Sequence, residues 1–153
     1  MSELFVGPFL GVVGGLATQR VYDWLKDERN KKTLKENLKN ELENCMELLS
    51  GQGNLLPIMM WNSIVTSGDV KLLSFDERNK LSRIYFEIDN HNYEAKRVRD
   101  SAVEAKTGSY RVRVGGRTLA EAYWDQLSKA LIKEERILKA KVSDILKDEL
   151  WNK

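Results

Sequence analysis

An uncharged, glycine-rich segment near the N-terminus is the sequence feature that most restricts how this chain can fold. Residues 4–18 read LFVGPFLGVVGGLAT and carry no charged side chain. As a helix they are about 22 Å long, short of the roughly 20 residues that usually cross a bilayer. Ser2 and the residues Gln19 to Trp24 extend the segment into that range, with Tyr22 and Trp24 where interfacial aromatic residues lie. We therefore expect residues 1–25 to form a membrane-anchoring, single-pass transmembrane helix.

The glycines of this segment predict how such helices would associate. Gly7, Gly11 and Gly15 are four residues apart and share one helix face, which lets two helix backbones approach closely in lipid. The pattern predicts a homo-oligomer. Three other interpretations remain open: a buried core helix, a signal peptide that lacks the usual basic start, and a phosphate loop that lacks the usual Lys-Ser/Thr ending.

The charges on either side of the segment predict its orientation. Only the amino terminus and Glu3 precede it, whereas many basic residues follow: Arg20, Lys26, Arg29, Lys31, Lys32, Lys35 and Lys39. The positive-inside rule then places the N-terminus outside and the rest of the chain in the cytoplasm. A lone cysteine, Cys45, agrees with a reducing compartment.

The remaining sequence predicts an all-α fold, with residues 26–153 forming a cytoplasmic bundle of about four helices. Between Val21 and Ser50 there is no Pro or Gly, so the anchor and the first bundle helix are expected to form one rod. Its apolar stripe is Leu34, Leu38, Leu42, Cys45/Met46 and Leu49. A second, short helix is expected from Leu56 to Thr66 and, being apolar nearly all round, is expected to be buried.

Two long helices are expected to follow and to pair as an antiparallel hairpin. Ser74 with Glu77, and Thr118 with Glu121, have the spacing of capping boxes, which open helices. The first helix is expected to end near Lys106 and the second to continue almost to the C-terminus. Their apolar stripes include, in the first, Leu81, Ile84, Ile88, His91 and Ala95, and, in the second, Tyr123/Trp124, Leu127, Leu131, Leu138 and Val142.

The connection between these helices is the strongest candidate for ligand binding. From Glu94 to Arg117 there are seven basic residues and three acidic ones. The stretch Thr107 to Arg117 is expected to be a short strand or an extended loop. Arginines beside glycines and a helix N-terminus suit a phosphate group. The candidate ligand residues are Arg99, Lys106, Tyr110, Arg111, Arg113 and Arg117. The alternative is a solvated turn whose arginines pair with acids on nearby helices.

Composition excludes several other kinds of site. With one Cys and one His, the chain has neither a multi-cysteine nor a multi-histidine metal cage, and no Ser or Cys nucleophile has a second His to help it. We predict no catalytic residue, no metal and no cofactor. His91 and Cys45 are expected in the core, and Glu134 and Glu135 on the surface. Trp61 and Trp124 are also expected in the core.

Taken together, these features predict a protein that is not an enzyme. The expected function is a membrane-anchored homo-oligomer whose cytoplasmic bundle binds an anionic, phosphate-bearing ligand, such as a nucleotide, and thereby controls membrane assembly or permeability. In layout this resembles the small membrane effectors of nucleotide-signalling antiviral systems. The alternative is a passive membrane-anchored scaffold that recruits a protein partner through helix faces. The expected partners are membrane lipid, a second copy of the chain and the anionic ligand; duplex nucleic acid is not expected.

Overall fold

The computed structural model describes residues 6–107, 113–114 and 117–151, and within them it describes side chains except at 6–18, 113, 114 and 117. The four helices are α1 (Val6–Leu48), α2 (Met59–Ser67), α3 (Phe75–Thr107) and α4 (Leu119–Lys147). Two 3₁₀ turns occupy Asp69–Leu72 and Glu149–Trp151, and two antiparallel strands, β1 (Arg113–Val114) and β2 (Arg117–Thr118), join α3 to α4. The all-α, four-helix prediction is therefore confirmed.

Helix α1 is one uninterrupted rod of 43 residues, about 64 Å long. Every described side chain from Gln19 to Asn30 is exposed, and the first buried side chain among those described is Leu34. We call residues 6–33 the arm and residues 34–48 the packed half of α1. The predicted continuity of the N-terminal segment with the first bundle helix is thus confirmed.

The core lies between the packed half of α1, α3 and the second half of α4. Leu38, Leu42 and Cys45 of α1 are fully buried, as are Leu81 and Ile88 of α3. The predicted stripe of α1 is confirmed because these side chains recur every three or four residues and therefore lie on one face of the helix.

Helices α3 and α4 form the predicted antiparallel hairpin. Lys80, near the start of α3, pairs with Asp148 just after α4, and Glu87 pairs with Lys141 about two turns inward. Both capping boxes are present: the Ser74 hydroxyl accepts from Glu77 N at 3.3 Å, and the Thr118 hydroxyl accepts from Glu121 N at 3.1 Å. Reciprocal bonds from the two Glu side chains complete them, which fixes where each helix begins.

The segment between α1 and α2 depends on glycine. Gly51 and Gly53 have φ values of +83° and +65°, and a Cβ on Gly53 would lie 2.9 Å from Leu131 Cδ2. Only glycine adopts this backbone without strain and without that clash. The predicted stop of α1 at these glycines is therefore confirmed, with the helix itself ending at Leu48.

Helix α2 differs from its prediction in position and burial. It begins at Met59, and although Ile64 is buried, Met59 and Val65 are exposed. The Glu41 carboxylate accepts hydrogen bonds from the backbone N–H groups of Met60 (2.7 Å) and Trp61 (3.3 Å). The expectation of full burial is wrong because this side chain of α1 holds the start of α2 at the surface of the core, where one face meets solvent.

The predicted transmembrane span is not supported. Among the helices that the structure describes, none combines the length and the apolar character that crossing a membrane requires. From Val6 to the end of the uncharged run at Thr18 there are only about 13 helical residues, or roughly 20 Å against a hydrocarbon core of about 30 Å. Glycine within the run and charge from Arg20 onward lower its mean hydropathy further.

Candidate functional site

Of the six predicted ligand residues, the structure describes the side chains of Arg99 and Lys106. Tyr110 and Arg111 lie outside the described residues, and Arg113 and Arg117 are described by backbone alone, in the register Arg113↔Thr118 and Val114↔Arg117. Lys106 is exposed in the last turn of α3. We call residues 108–117, which connect α3 to α4, the tip.

Arg99 has a different contact from the one predicted. It is exposed, and its guanidinium donates to the carbonyl oxygen of Gly53 at 3.3 Å. That bond directs the side chain toward the segment that follows α1. Arg99 therefore ties α3 to this connection.

The last turn of α3, which precedes the tip, lies far from the arm. At the arm end, Lys35 of α1 contacts Glu77 in the first turn of α3, with 2.6 Å between Nζ and Oε1. Helix α3 then runs from this contact to Thr107, a rise of about 45 Å. A surface at the base of the arm is therefore far from the last turn of α3.

A second basic region, which sequence reasoning missed as a site, lies where the arm joins the bundle. An open cavity of about 610 Å³, here called the arm cleft, is bounded by the base of the arm and the C-terminal 3₁₀ turn. Its lining residues are Leu25, Glu28, Arg29, Lys31, Lys32, Lys35, Glu36, Lys39 and Trp151. Five are basic and two acidic, so the cleft is positive overall.

Lys35 has a structural role in the arm cleft. Its side chain is 6% exposed; besides Glu77, it donates to the carbonyl oxygen of Leu150 at 2.7 Å. Burial of the Glu77 carboxyl raises its pKa, but the hydrogen bond and charge of Lys35, with the N–H of Ser74, outweigh burial and hold that pKa below its ordinary value of 4.5. This charged pair fastens α1, α3 and the C-terminal turn together.

Three other cations of the arm cleft remain available. Arg29, Lys32 and Lys39 form no ion pair within the described part of the chain, and all three keep solvent access. Leu25 and Trp151 add an apolar border, and the Trp151 indole is oriented by a 2.7 Å bond from Nε1 to the Ile145 carbonyl oxygen. The cleft therefore places solvent-accessible cations beside an aromatic ring that a hydrogen bond holds in position.

The sequence contains a signal for this arrangement. Leu25, Arg29, Lys32, Glu36 and Lys39 follow one another at spacings of four and three residues, so they share one face of a helix. At about 100° per residue this basic face is turned by about 140° from the apolar stripe of the packed half, so it points away from the core.

A second buried polar cluster holds the loop after α1. His91 Nε2 lies 3.0 Å from the carbonyl oxygen of Asn54, and Glu135 Oε1 accepts from the N–H of Gly53 at 2.9 Å. Glu135 is 2% exposed, so its predicted surface position is wrong. It lies between Leu131 and Leu138 on the apolar stripe of α4, and the buried Gly53 amide needs an acceptor there.

The other predicted core residues divide into confirmed and corrected cases. His91 is buried and hydrogen-bonded as expected. Cys45 is fully buried, and burial, together with the nearby Glu41 charge, raises the pKa of its thiol to about 12. Trp61 packs on Tyr85 with ring centroids 4.9 Å apart. The prediction that Trp124 lies in the core is wrong, since its side chain is 40% exposed. It lies where α4 extends beyond the layer formed by α1.

Across the residues described here, no three His, Cys, Asp or Glu side chains are grouped so as to hold a metal ion. Comparison with known proteins adds no identity to this geometry. No protein-family model, no curated protein and no solved structure matches this chain.

Proposed function

We propose that this chain is a non-enzymatic, membrane-attached helical module whose arm holds the bundle at the bilayer, with the C-terminal end of α3 directed away from it. The observation that carries the proposal is the exposure of the arm: Val21, Tyr22 and Trp24 are 57%, 67% and 62% exposed. A helix that packs against nothing is marginally stable in water. The uncharged run that precedes these residues makes lipid the covering medium that fits best.

The proposed attachment implies an orientation of the chain in the membrane and a partner for the arm. Basic residues follow the uncharged run, which favours an external N-terminus and a cytoplasmic bundle. Gly7, Gly11 and Gly15 lie within α1, and their four-residue spacing favours packing against a second copy of the chain. The proposed assembly is a homo-oligomer joined through the arms.

The tip is the proposed receptor for an anionic, phosphate-bearing ligand. Its arginines follow Lys106 and precede the capped start of α4. Because Arg99 and Glu135 connect both long helices to the loop after α1, a shift of α3 against α4 would be transmitted to the rod. In this proposal the ligand controls the assembly of the arms, as the layout of a membrane effector suggests.

A passive scaffold is the second candidate. It is favoured by the apolar side chains exposed on the tip half of the hairpin: Tyr93, Val103, Leu119, Tyr123 and Trp124. Exposed apolar groups of this kind often mark protein interaction surfaces. A scaffold would recruit a stoichiometric protein partner there, and phosphate-bearing ligands would leave its melting temperature unchanged.

The attachment is tested by flotation of the full chain with neutral phosphatidylcholine vesicles. Val13→Asp puts a charge in the middle of the uncharged run and should abolish flotation, since a carboxylate in the hydrocarbon costs about 3 kcal/mol. Val103→Asp, the same exchange at an exposed position of α3, should float normally. Equal flotation of both variants would contradict the proposal. A carbonate wash then separates a spanning arm, which stays bound, from an interfacial one, which is released.

The proposed assembly needs its own test. Gly11→Leu places a large side chain on the glycine face and should lower the particle mass in detergent to that of a monomer. Ala17→Leu adds similar volume about 120° round the same helix and should leave the mass unchanged. An unchanged mass for Gly11→Leu would refute packing through this face.

A further inference from the structure

The arm cleft differs from the predicted ligand site in position and in surroundings. Its cations lie at the junction of the arm and the bundle, and its border includes Leu25 and Trp151. The last residue of α3, Thr107, lies about 45 Å along the helix from Glu77. The two basic regions therefore meet different surroundings, whichever medium covers the arm.

The cleft has the charge to hold an anion. Glu77 neutralises Lys35 through a 2.6 Å ion pair, whereas Arg29, Lys32 and Lys39 have no such partner among the described residues. Glu28 and Glu36 are the acidic lining residues, so the cleft keeps a net positive charge even without Lys35. An arginine fork with two flexible ammonium groups suits the several oxygens of one phosphate.

The position along α1 identifies the source of that phosphate. Trp24 is exposed on the arm, and aromatic side chains of this kind lie at the level of lipid headgroups. Arg29 and Lys32 follow it by five and eight residues, or about 7 and 12 Å along the helix axis. Arg29 therefore lies within a Debye length, about 8 to 10 Å, of a headgroup layer at Trp24, and Lys32 lies just beyond that distance.

We infer that the arm cleft binds the phosphate groups of anionic lipid headgroups through Arg29 and Lys32, with Lys39 adding positive charge deeper in the cleft. The inference rests on the proposed attachment of the arm to a bilayer and specifies its lipid. Lys35 and Glu77 set the shape of the site by fixing α1 against α3 and the C-terminal turn, and Leu25 and Trp151 exclude water from one side. The bundle is thereby held close to the membrane surface.

The test compares binding of the full chain to neutral phosphatidylcholine vesicles and to vesicles in which phosphatidylinositol phosphate replaces part of the phosphatidylcholine. Arg29→Gln, Lys32→Gln and Lys39→Gln are combined in one variant. Each cation near an anionic surface favours binding by up to about tenfold at low salt. We expect the wild type to prefer the anionic vesicles and the triple variant to lose at least tenfold in affinity for them.

A matched control removes the same number and kinds of cation elsewhere. Arg83, Lys96 and Lys133 are exposed residues of α3 and α4, and their combined replacement by Gln should leave the preference for anionic vesicles intact. An equal loss in both triple variants would overturn the inference, because it would show attraction by total charge and not by the cleft. Circular dichroism of both variants confirms that helix content is kept.

Soluble inositol trisphosphate distinguishes a lipid headgroup from a free phosphate ligand. If the cleft recognises headgroup phosphate, this probe should compete with anionic vesicles for the wild type. Binding of the soluble probe without any preference for anionic vesicles would overturn the lipid assignment. Failure of the proposed function gives a different result, namely no flotation with either kind of vesicle, whereas failure of this inference alone gives equal flotation with both.

Discussion

The two halves of α1 share one backbone but meet different surroundings. In the packed half, Leu38, Leu42 and Cys45 are fully buried, whereas in the arm Val21, Tyr22 and Trp24 are more than half exposed. Both halves have apolar residues at helical spacings. The difference teaches that an apolar pattern predicts a buried face without stating what buries it: for the packed half the chain itself, and for the arm, in our proposal, lipid.

Truncation of a leucine should separate the two halves most strongly. Leu42→Ala leaves a cavity in the core and should lower the free energy of unfolding by about 3 to 5 kcal/mol. Leu25→Ala, in the arm and 46% exposed, should change it by less than about 0.5 kcal/mol. Urea unfolding followed by far-ultraviolet circular dichroism measures both. Similar losses would mean that the arm packs against protein in solution.

The ion pair at the junction of the halves should give the next largest effect. Lys35→Met removes the nearer cation of the Glu77 carboxylate and leaves only Lys31 at 3.9 Å, and should cost about 3 kcal/mol at pH 7. Lys80→Met removes one partner of the more exposed pair with Asp148 and should cost less than about 1 kcal/mol. Urea midpoints at pH 7 report the difference. Equal shifts would show that Lys35 contributes no more than a surface cation.

The same pair predicts a pH dependence with a definite sign. Because the folded pKa of Glu77 is below its ordinary value of 4.5, the folded state favours the ionised carboxylate. Its contribution is therefore complete above about pH 5 and is lost as the pH falls through the folded pKa. Between pH 6 and pH 3 the wild type should lose more stability than Lys35→Met. A steeper loss in the variant would contradict the assignment.

Glu135 should matter less, but more than a surface glutamate. Glu135→Ala removes the acceptor of the buried Gly53 N–H and should cost about 2 kcal/mol. Glu135→Gln keeps an acceptor oxygen and should retain most of that stability. Glu134→Ala is an exposed control, expected within about 0.5 kcal/mol of the wild type. If Glu135→Ala behaves like the control, the loop after α1 is held by other contacts.

Thiol labelling of Cys45 perturbs the protein least among these tests, because it changes no residue. Burial and the Glu41 charge raise the pKa of Cys45 to about 12, so the thiolate is scarce at pH 8. Iodoacetamide should modify the unfolded chain quickly and the native chain very slowly. Rapid modification of the native chain would show that the packed half opens easily.

Much of the fold follows from the sequence because its signals are local. The capping boxes at Ser74 and Thr118 and the glycines after Leu48 set helix ends through their own neighbours. The errors depend on distant residues. Glu135 is buried because Gly53, which is 82 residues away, needs an acceptor, and Trp124 is exposed because α1 ends before it could cover that part of α4. Neither partner is visible from a single helix pattern.

The two candidate sites also differ in whether local sequence or distant residues define them. The positive charge of the tip is plain in the sequence, because seven basic residues lie between Glu94 and Arg117. The arm cleft needs Trp151, which is more than 100 residues from Arg29 and reaches it only when α4 returns to the base of the arm. Sequence spacing supplies the basic stripe of α1, and the antiparallel hairpin supplies its other wall.

The central claim is that lipid and not protein covers the arm, and particle mass without lipid tests it most directly. Light scattering is measured on the intact chain after detergent removal, and again after neutral vesicles are added. The account predicts large aggregates in the absence of detergent or lipid, and quantitative recovery of the chain with the vesicles. A monodisperse particle of monomer mass that stays in solution and ignores the vesicles would contradict it.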